Sequence, residues 1–240
     1  MRLSRHQSTI IRMFHVYRRY HSSAALTDIT LDIYRNEFLY ITGPSGAGKT
    51  TLLKLLYLGE PVSDGQILVD GINLSRIPRG RIPMLRRKFG IVFQDYKLIS
   101  GKTVFENIAL VLEAAGRNRR FIQKKVNSVL RIVGMEARQH GMPRTLSGGE
   151  QQRIAVARAV VGDPAIILAD EPTGSLDPES AALILKLLKA FHTRGATVIV
   201  ATHDRELIRR APGRVIQLKQ GRIESAFGVS GELASASEPA

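Results

Sequence analysis

Phe38-Leu39-Tyr40-Ile41-Thr42-Gly43-Pro44-Ser45-Gly46-Ala47-Gly48-Lys49-Thr50-Thr51-Leu52-Leu53 is the stretch that decides the fold. Its first four side chains are apolar without a polar break, as a strand covered on both faces requires. Glycines at 43, 46 and 48 then interrupt the run, and a helix is expected from Lys49 to about Leu58. The loop fits the pattern G-x-x-x-x-G-K-[ST]. Glycine lets consecutive backbone N–H groups curl toward one anion, and a helix N-terminus adds partial positive charge. Lys49 supplies a full charge for the β- and γ-phosphates of a nucleotide, and the Thr50 hydroxyl is a hard oxygen ligand suited to Mg2+. A glycine turn that only caps a helix accounts for Gly43 and Gly48, but not for Lys49 followed by Thr50.

On either side, strand-like segments are expected at Ile11–Val16, Leu31–Tyr34, Gln66–Asp70 and Ile91–Phe93. A helical pattern fills about Thr103 to Arg138, with Ile108, Leu112, Ile122, Val126 and Leu130 on its apolar stripe. A helix follows Leu146, and the apolar runs Ala165–Ala169 and Thr197–Ala201 flank a helix from Pro178 to about Arg194. Alternating strands and helices with β-branched strands predict an α/β fold around a parallel sheet. The early strands and the helical insert depart from that alternation and should form subdomains on the core.

Two further local patterns carry chemistry. The apolar run Ala165–Ala169 ends in Asp170 and Glu171, at the strand end where open α/β sheets bind ligands. Asp170 would hold Mg2+ through water, and Glu171 would orient and deprotonate an attacking water. Adjacent acids also cap turns, but here they accompany a phosphate loop. In Leu146-Ser147-Gly148-Gly149-Glu150-Gln151, Ser147 and Glu150 form a capping box that opens a helix. A plain cap has no need of two glycines, which cost helix stability, so Gly148 and Gly149 are read as allowing close backbone approach to an anion.

Composition removes whole classes. With no cysteine, disulfides, thiolate catalysis, cysteine-rich zinc sites and iron–sulfur clusters are excluded. No apolar run approaches the roughly 20 residues that span a bilayer, and the first residues lack the apolar core of a secretory signal. The expectation is a cytoplasmic chain with at most a peripheral membrane role. Net charge is +14, and residues 1–140 alone carry 23 basic and 10 acidic side chains. Such asymmetry suits nucleic acid, an anionic membrane or an acidic protein surface.

In this order and spacing, the phosphate loop, Leu146–Arg153 and Leu168–Thr173 resemble the nucleotide-binding domain of ATP-binding cassette (ABC) proteins, over about Ile11 to Glu224. The resemblance implies an α/β ABC ATPase domain: a P-loop parallel sheet core, an antiparallel β subdomain and an α-helical subdomain. It implies ATP and Mg2+ as cofactors and a head-to-tail dimer. Lys49 and the loop Gly43–Thr51 would hold the phosphates, while Ser147, Gly148, Gly149 and Gln151 would close over ATP bound to the other copy. Gln94 matches the glutamine that ligates Mg2+ and senses the membrane partner, His203 the switch histidine at the γ-phosphate, and Asp177 the loop that crosses between subunits. Tyr20 is placed like the aromatic that stacks on adenine, with Tyr17 close by as the other candidate.

Leu85–Leu98, Thr103–Ile108 and Leu146–Arg153 are most similar to the cell-division branch of the family, which works with an integral membrane partner. Asp95 and Glu150 favour that branch over lipoprotein-release and macrolide-export ATPases. The implied function is an ATPase subunit regulating cell-wall hydrolysis at the septum, with exporters as the alternative. Soluble nucleic-acid-binding relatives carry two cassettes or long coiled coils, and this chain shows neither. The expected boundaries are a flexible N-terminus at 1–9, an ATP-binding domain at 10–226 with a helical subdomain at about 95–155, and a disordered tail at 227–240. Basic side chains flanking Gln94 and in the insert, including Arg119, Arg120, Lys124 and Lys125, are expected to face the membrane or acidic partner segments.

Overall fold

The chain forms two compact units, one from Met1–Ile82 with Ile199–Ala240 and one from Pro83–Val198. The structure, a computed structural model, describes residues 8–21, 23–211 and 213–227. Residues 1–7 of the expected flexible N-terminus and 228–240 of the expected tail lie outside the described residues. Thr9 and Phe227 are strand ends.

The first unit opens with two long antiparallel strands, β1 (Thr9–Tyr20) and β2 (Ser23–Tyr34). Strict alternation would bury positions 11, 13 and 15. Instead Ile11, Met13 and Val16 are buried, because the register shifts between Met13 and Val16 at His15, whose φ is 46°. Such a bulge inserts one residue and re-aims those after it. Strand β3 (Phe38–Thr42) is buried along its first four residues and leads through the glycine loop into helix α1 (Lys49–Leu56). Strands β4 (Asp64–Val69) and β5 (Ile72–Asn73) complete a sheet in the order β2-β1-β4-β5.

Helix α2 (Ile82–Arg86) lies at the passage into the second unit, where β6 (Phe89–Val92) begins. The predicted helical stretch divides into α3 (Val104–Ala114) and α4 (Arg119–Ile132). The break has local causes: Gly116 sits at φ 72°, and the Asn118 side chain caps α4 by accepting from the Phe121 N–H. Helix α5 (Gly148–Val160) buries residues around most of its circumference. Strand β7 (Ile166–Asp170) pairs parallel with β6, Phe89 opposite Ile166 and Val92 opposite Ala169, and α6 (Pro178–Thr193) follows.

The chain returns to the first unit within β8 (Thr197–Ala201), continuing into α7 (Arg205–Arg210) and the hairpin β9 (Arg214–Lys219) and β10 (Arg222–Phe227). Strand β9 runs parallel to β3, with Ile41 opposite Ile216. The hairpin turn places Gln220 at φ 48° and Gly221 at φ 74°, the left-handed pair that suits a two-residue connection. The fold is therefore α/β, combining parallel core strands with an antiparallel sheet and a helical region.

Candidate functional site

The phosphate-loop residues lie at the carboxyl end of β3, and their glycines have separate jobs. A Cβ on Gly43, where φ is 142°, would sit 2.1 Å from the Leu218 carbonyl oxygen on β9; one on Gly48, at φ 102°, would sit 2.6 Å from the Ala25 carbonyl oxygen on β2. The loop is thus clasped between two strands, and the Gly221 N–H adds a bond to the Ala47 carbonyl at 3.2 Å. Gly46 meets nothing within 4 Å. Buried Lys49 turns its ammonium back into the loop, donating to the carbonyls of Gly43 at 2.9 Å and Pro44 at 3.2 Å. Helices α3 to α7 each have a side-chain N-cap, whereas α1 is capped by Gly48 alone and has no acid in its first turn. That leaves a helix N-terminus whose charge favours an anion. Thr50 is exposed beside Lys49 and Thr51 is half-buried.

In the same unit, the Thr202 N–H donates to the Ile41 carbonyl of β3 at 3.0 Å, so the chain after β8 emerges beside the strand that feeds the phosphate loop. His203 comes next and is exposed. It is held between buried Thr202, whose hydroxyl accepts from the Asp204 N–H at 3.1 Å, and Asp204, which caps α7. Half-buried Tyr20 ends β1. Its hydroxyl donates to the Glu60 carboxylate, and the Arg18 guanidinium lies 4.4 Å over its ring. Tyr17, the neighbouring candidate, carries Arg19 over its ring at 5.7 Å.

The second unit gathers three other candidates on one edge. Because Val92 lies opposite Ala169 in the parallel β6–β7 pair, Gln94 leaves the same strand ends as Asp170 and Glu171. Gln94 is exposed, and the two acids are half-buried. Glu171 adopts φ 43°, a left-handed conformation that is costly for a residue with a side chain and clusters at functional sites. Among the described residues no group of three or more His, Cys, Asp or Glu side chains gathers as a metal cage. Oxygen donors that leave room for water and phosphate ligands are what Mg2+ favours.

Ser147 caps α5 in the expected capping box: its hydroxyl accepts from the Glu150 N–H at 3.2 Å, and its own N–H donates to Glu150 at 2.8 Å. The backbone bond from Ser147 is the main reason the Glu150 carboxyl lies below the ordinary carboxylate range. Gln151 donates to the Leu146 carbonyl at 3.1 Å. Gly149 has a packing role that sequence reading did not foresee. A Cβ there would lie 2.4 Å from Ser180 Oγ and 2.9 Å from Ser180 Cβ, so α5 and α6 approach through it. One on Gly148 would lie 3.1 Å from the Tyr96 hydroxyl. Asp177 caps α6, accepting from the Ser180 N–H at 2.8 Å, and that backbone bond lowers its pKa.

The ABC transporter family matches residues 26–174. The chain belongs to the ABC transporter family of ATP-binding proteins. A shorter match, to an AAA domain described as putative AbiEii toxin, Type IV TA system, covers residues 142–209 of the cassette. Cell division ATP-binding protein FtsE of Streptococcus pneumoniae strain D39 is 44% identical over 216 residues, covering 90% of this chain and 94% of that protein. FtsE of Escherichia coli K12 is 41% identical over 220 residues, covering 91% and 99%. Among solved structures, the dimeric bacterial ABC transporter cassette MJ0796 superposes with a TM-score of 0.86 at 35% identity, over 92% of this chain and all of that one. A post-hydrolysis dimer of MJ0796 bound to ADP and Pi has the same TM-score at 34% identity and covers 92% of this chain and 100% of that one. The cassette is accordingly an ABC-type ATPase.

Several residues that set the cassette's geometry were not read from the sequence. Arg158 of α5, half-buried, donates to the carbonyls of Lys97 at 2.6 Å and Tyr96 at 2.7 Å, fixing the turn after Gln94 where both residues have positive φ. Gln152, fully buried, donates to the Pro172 carbonyl at 2.8 Å beside Glu171. The Tyr96 and Ser175 hydroxyls bond at 3.2 Å. The helix that opens with Ser147 is thereby wired to the loops bearing Gln94 and Glu171. Arg158, polar within the run Ile154–Val160, is the one local hint of this, whereas Gln152 lies between Gln151 and Arg153 and nothing in its neighbourhood marks it. In the expected basic docking cluster, Arg119, Arg120 and Lys124 are exposed, but Lys125 is tied to Asp163 at 2.5 Å.

Proposed function

We propose that two copies of this cassette bind two Mg·ATP head to tail, hydrolyse them, and pass the closing motion to an FtsX-like integral membrane protein that regulates cell-wall hydrolysis at the division septum. The observation that carries this is the phosphate loop itself: a clasped glycine turn, a helix start without a side-chain cap, and Lys49 folded into the loop. The kinship to FtsE proteins over nine-tenths of the chain supports the cell-division reading. No helix among the described residues is long and apolar enough to cross a membrane. The proposed place is peripheral, on the cytoplasmic face of the bacterial inner membrane, with Arg119, Arg120 and Lys124 toward anionic lipid or acidic partner segments. Division proteins are further candidate partners, and nucleic acid is not among them. The ATP-binding domain is taken as 10–226, with its helical subdomain at about 95–155.

Loop Gly43–Thr51 and Lys49 grip the phosphates, and Tyr20 stacks on adenine. The Thr50 hydroxyl, the Gln94 side chain and, through water, Asp170 are the groups that would hold Mg2+. When bound, Mg2+ neutralises charge on the β- and γ-phosphate oxygens. Glu171 takes the proton of the attacking water, and His203 contacts the γ-phosphate. From the second copy, Ser147, Gly148, Gly149, Gln151 and Asp177 close over the nucleotide. Catalysis on this plan is positioning and charge stabilisation. Glu171→Gln keeps a hydrogen-bonding group but cannot accept the proton, so ATP should persist in a trapped dimer with turnover reduced about 100-fold or more. Near wild-type phosphate release from this variant would remove Glu171 from the role.

A further inference from the structure

We infer that Glu60 is a positioning residue for the nucleobase, acting through Tyr20; this rests on the proposed placement of adenine on Tyr20. Three donors converge on its carboxylate. The Tyr20 hydroxyl and Arg18 Nε, at 3.2 Å, share Oε2, and Lys54 Nζ lies 3.1 Å from Oε1. The side chains of Arg18 and Glu60 are only 18% and 19% exposed, so water screens this cluster less than a surface pair. Arg18, two residues before Tyr20 on β1, also lays its guanidinium 4.4 Å over the tyrosine ring. With that cation on one face of the ring, a planar base would stack on the opposite face.

Lys54 belongs to the last turn of α1, whose first turn begins at Lys49. Glu60 therefore ties the ring to the helix that presents the phosphate loop, which fixes the aromatic plane relative to the phosphate end of a nucleotide. A tyrosine ring anchored only at Cβ would sample several orientations, and ordering it on binding would cost affinity. Loss of Glu60 should weaken binding of a triphosphate that carries a base and spare one that lacks it.

The test measures binding of Mg·ATP and of Mg·tripolyphosphate to the full chain by calorimetry, with steady-state turnover alongside. Glu60→Ala and Tyr20→Phe should each weaken ATP about three- to tenfold, the range of a misaligned aromatic stack. Tripolyphosphate affinity should stay within about twofold, and the double variant should be no weaker than either single one, since both remove the same bond. For Glu60→Ala the loss should appear in KM rather than kcat. Glu60→Gln retains an acceptor for the Tyr20 hydroxyl and should recover most of the ATP affinity, a rescue that a purely structural role for the charge would not produce. Equal weakening of tripolyphosphate, additive losses in the double variant, or unchanged ATP affinity in Glu60→Ala would each overturn the inference. Tyr20→Ala separates the two layers: if it weakens ATP while Glu60→Ala does not, only the positioning role fails. If Tyr20→Ala leaves ATP affinity intact, the adenine assignment fails and the positioning role with it.

Discussion

Gly149→Ala sets two explanations of the Ser147–Gly149 motif against each other. If glycine is there only so that backbone can approach an anion, the variant should fold at least as well as the parent, because alanine favours helix by up to about 1 kcal/mol. The structure gives the opposite sign. The new Cβ would lie 2.4 Å from Ser180 Oγ and 2.9 Å from Ser180 Cβ. The hydroxyl can rotate away, but the Cβ is fixed to the first turn of α6, which is pinned by the Asp177 cap. Relieving the contact requires the helices to move apart, and overpacking of this kind costs about 1–3 kcal/mol. After the full propensity gain, the net loss should reach about 2 kcal/mol, or about 4–8 °C in a domain of this size. Thermal and urea unfolding would measure it. Ser180→Gly removes both clashing atoms, so Gly149→Ala combined with Ser180→Gly should be more stable than the sum of the single changes predicts, by about 1 kcal/mol or more. Gly148→Ala, with only the Tyr96 hydroxyl 3.1 Å away, should be close to neutral for folding. A Gly149→Ala protein that unfolds at or above the parent temperature would refute the packing argument.

Two other perturbations test the charges. Glu150, Glu106 and Asp177 are held below the ordinary carboxylate range by backbone bonds at Ser147, Thr103 and Ser180, so their stabilisation is complete above the ordinary values and is lost as pH falls through the lower folded ones. Glu150→Gln keeps the acceptor without the titration and should flatten the acid limb of the melting curve below pH about 4.5; a limb that still parallels the parent would contradict this. Lys125→Glu would set two negative charges together at Asp163 and should cost about 1 kcal/mol by thermal unfolding, whereas exposed Lys124→Glu should change stability by less than about 0.5 kcal/mol; equal losses would refute the distinction.

Local geometry was legible and distant contacts were not, and particular residues show why. The loop Gly43–Thr50, the strand end at Asp170 and Glu171 and the capping box of Ser147 with Glu150 each concentrate their meaning within a few consecutive residues, where backbone geometry follows directly from side-chain type. The bulge at His15 hid the true length of β1, because it breaks the alternation by which a strand is recognised and the charged Arg18 and Arg19 mask its continuation. The β9–β10 hairpin went unread although it clasps the phosphate loop: its signal is one two-residue turn at Gln220 and Gly221, and its partner, Gly43, lies far back in the chain. Gly149 shows a subtler gap. Its type was singled out for close approach to an anion, but its packing role stayed hidden, because Ser180, the residue that excludes a side chain there, belongs to a helix whose approach no local pattern encodes. Glu60 follows the same logic. Before Pro61 it looks like an ordinary turn acid, and only the fold brings Tyr20, Arg18 and Lys54 onto its carboxylate. A motif names the atoms that can touch a ligand, whereas the residues that hold those atoms still must be sought among contacts distant in sequence.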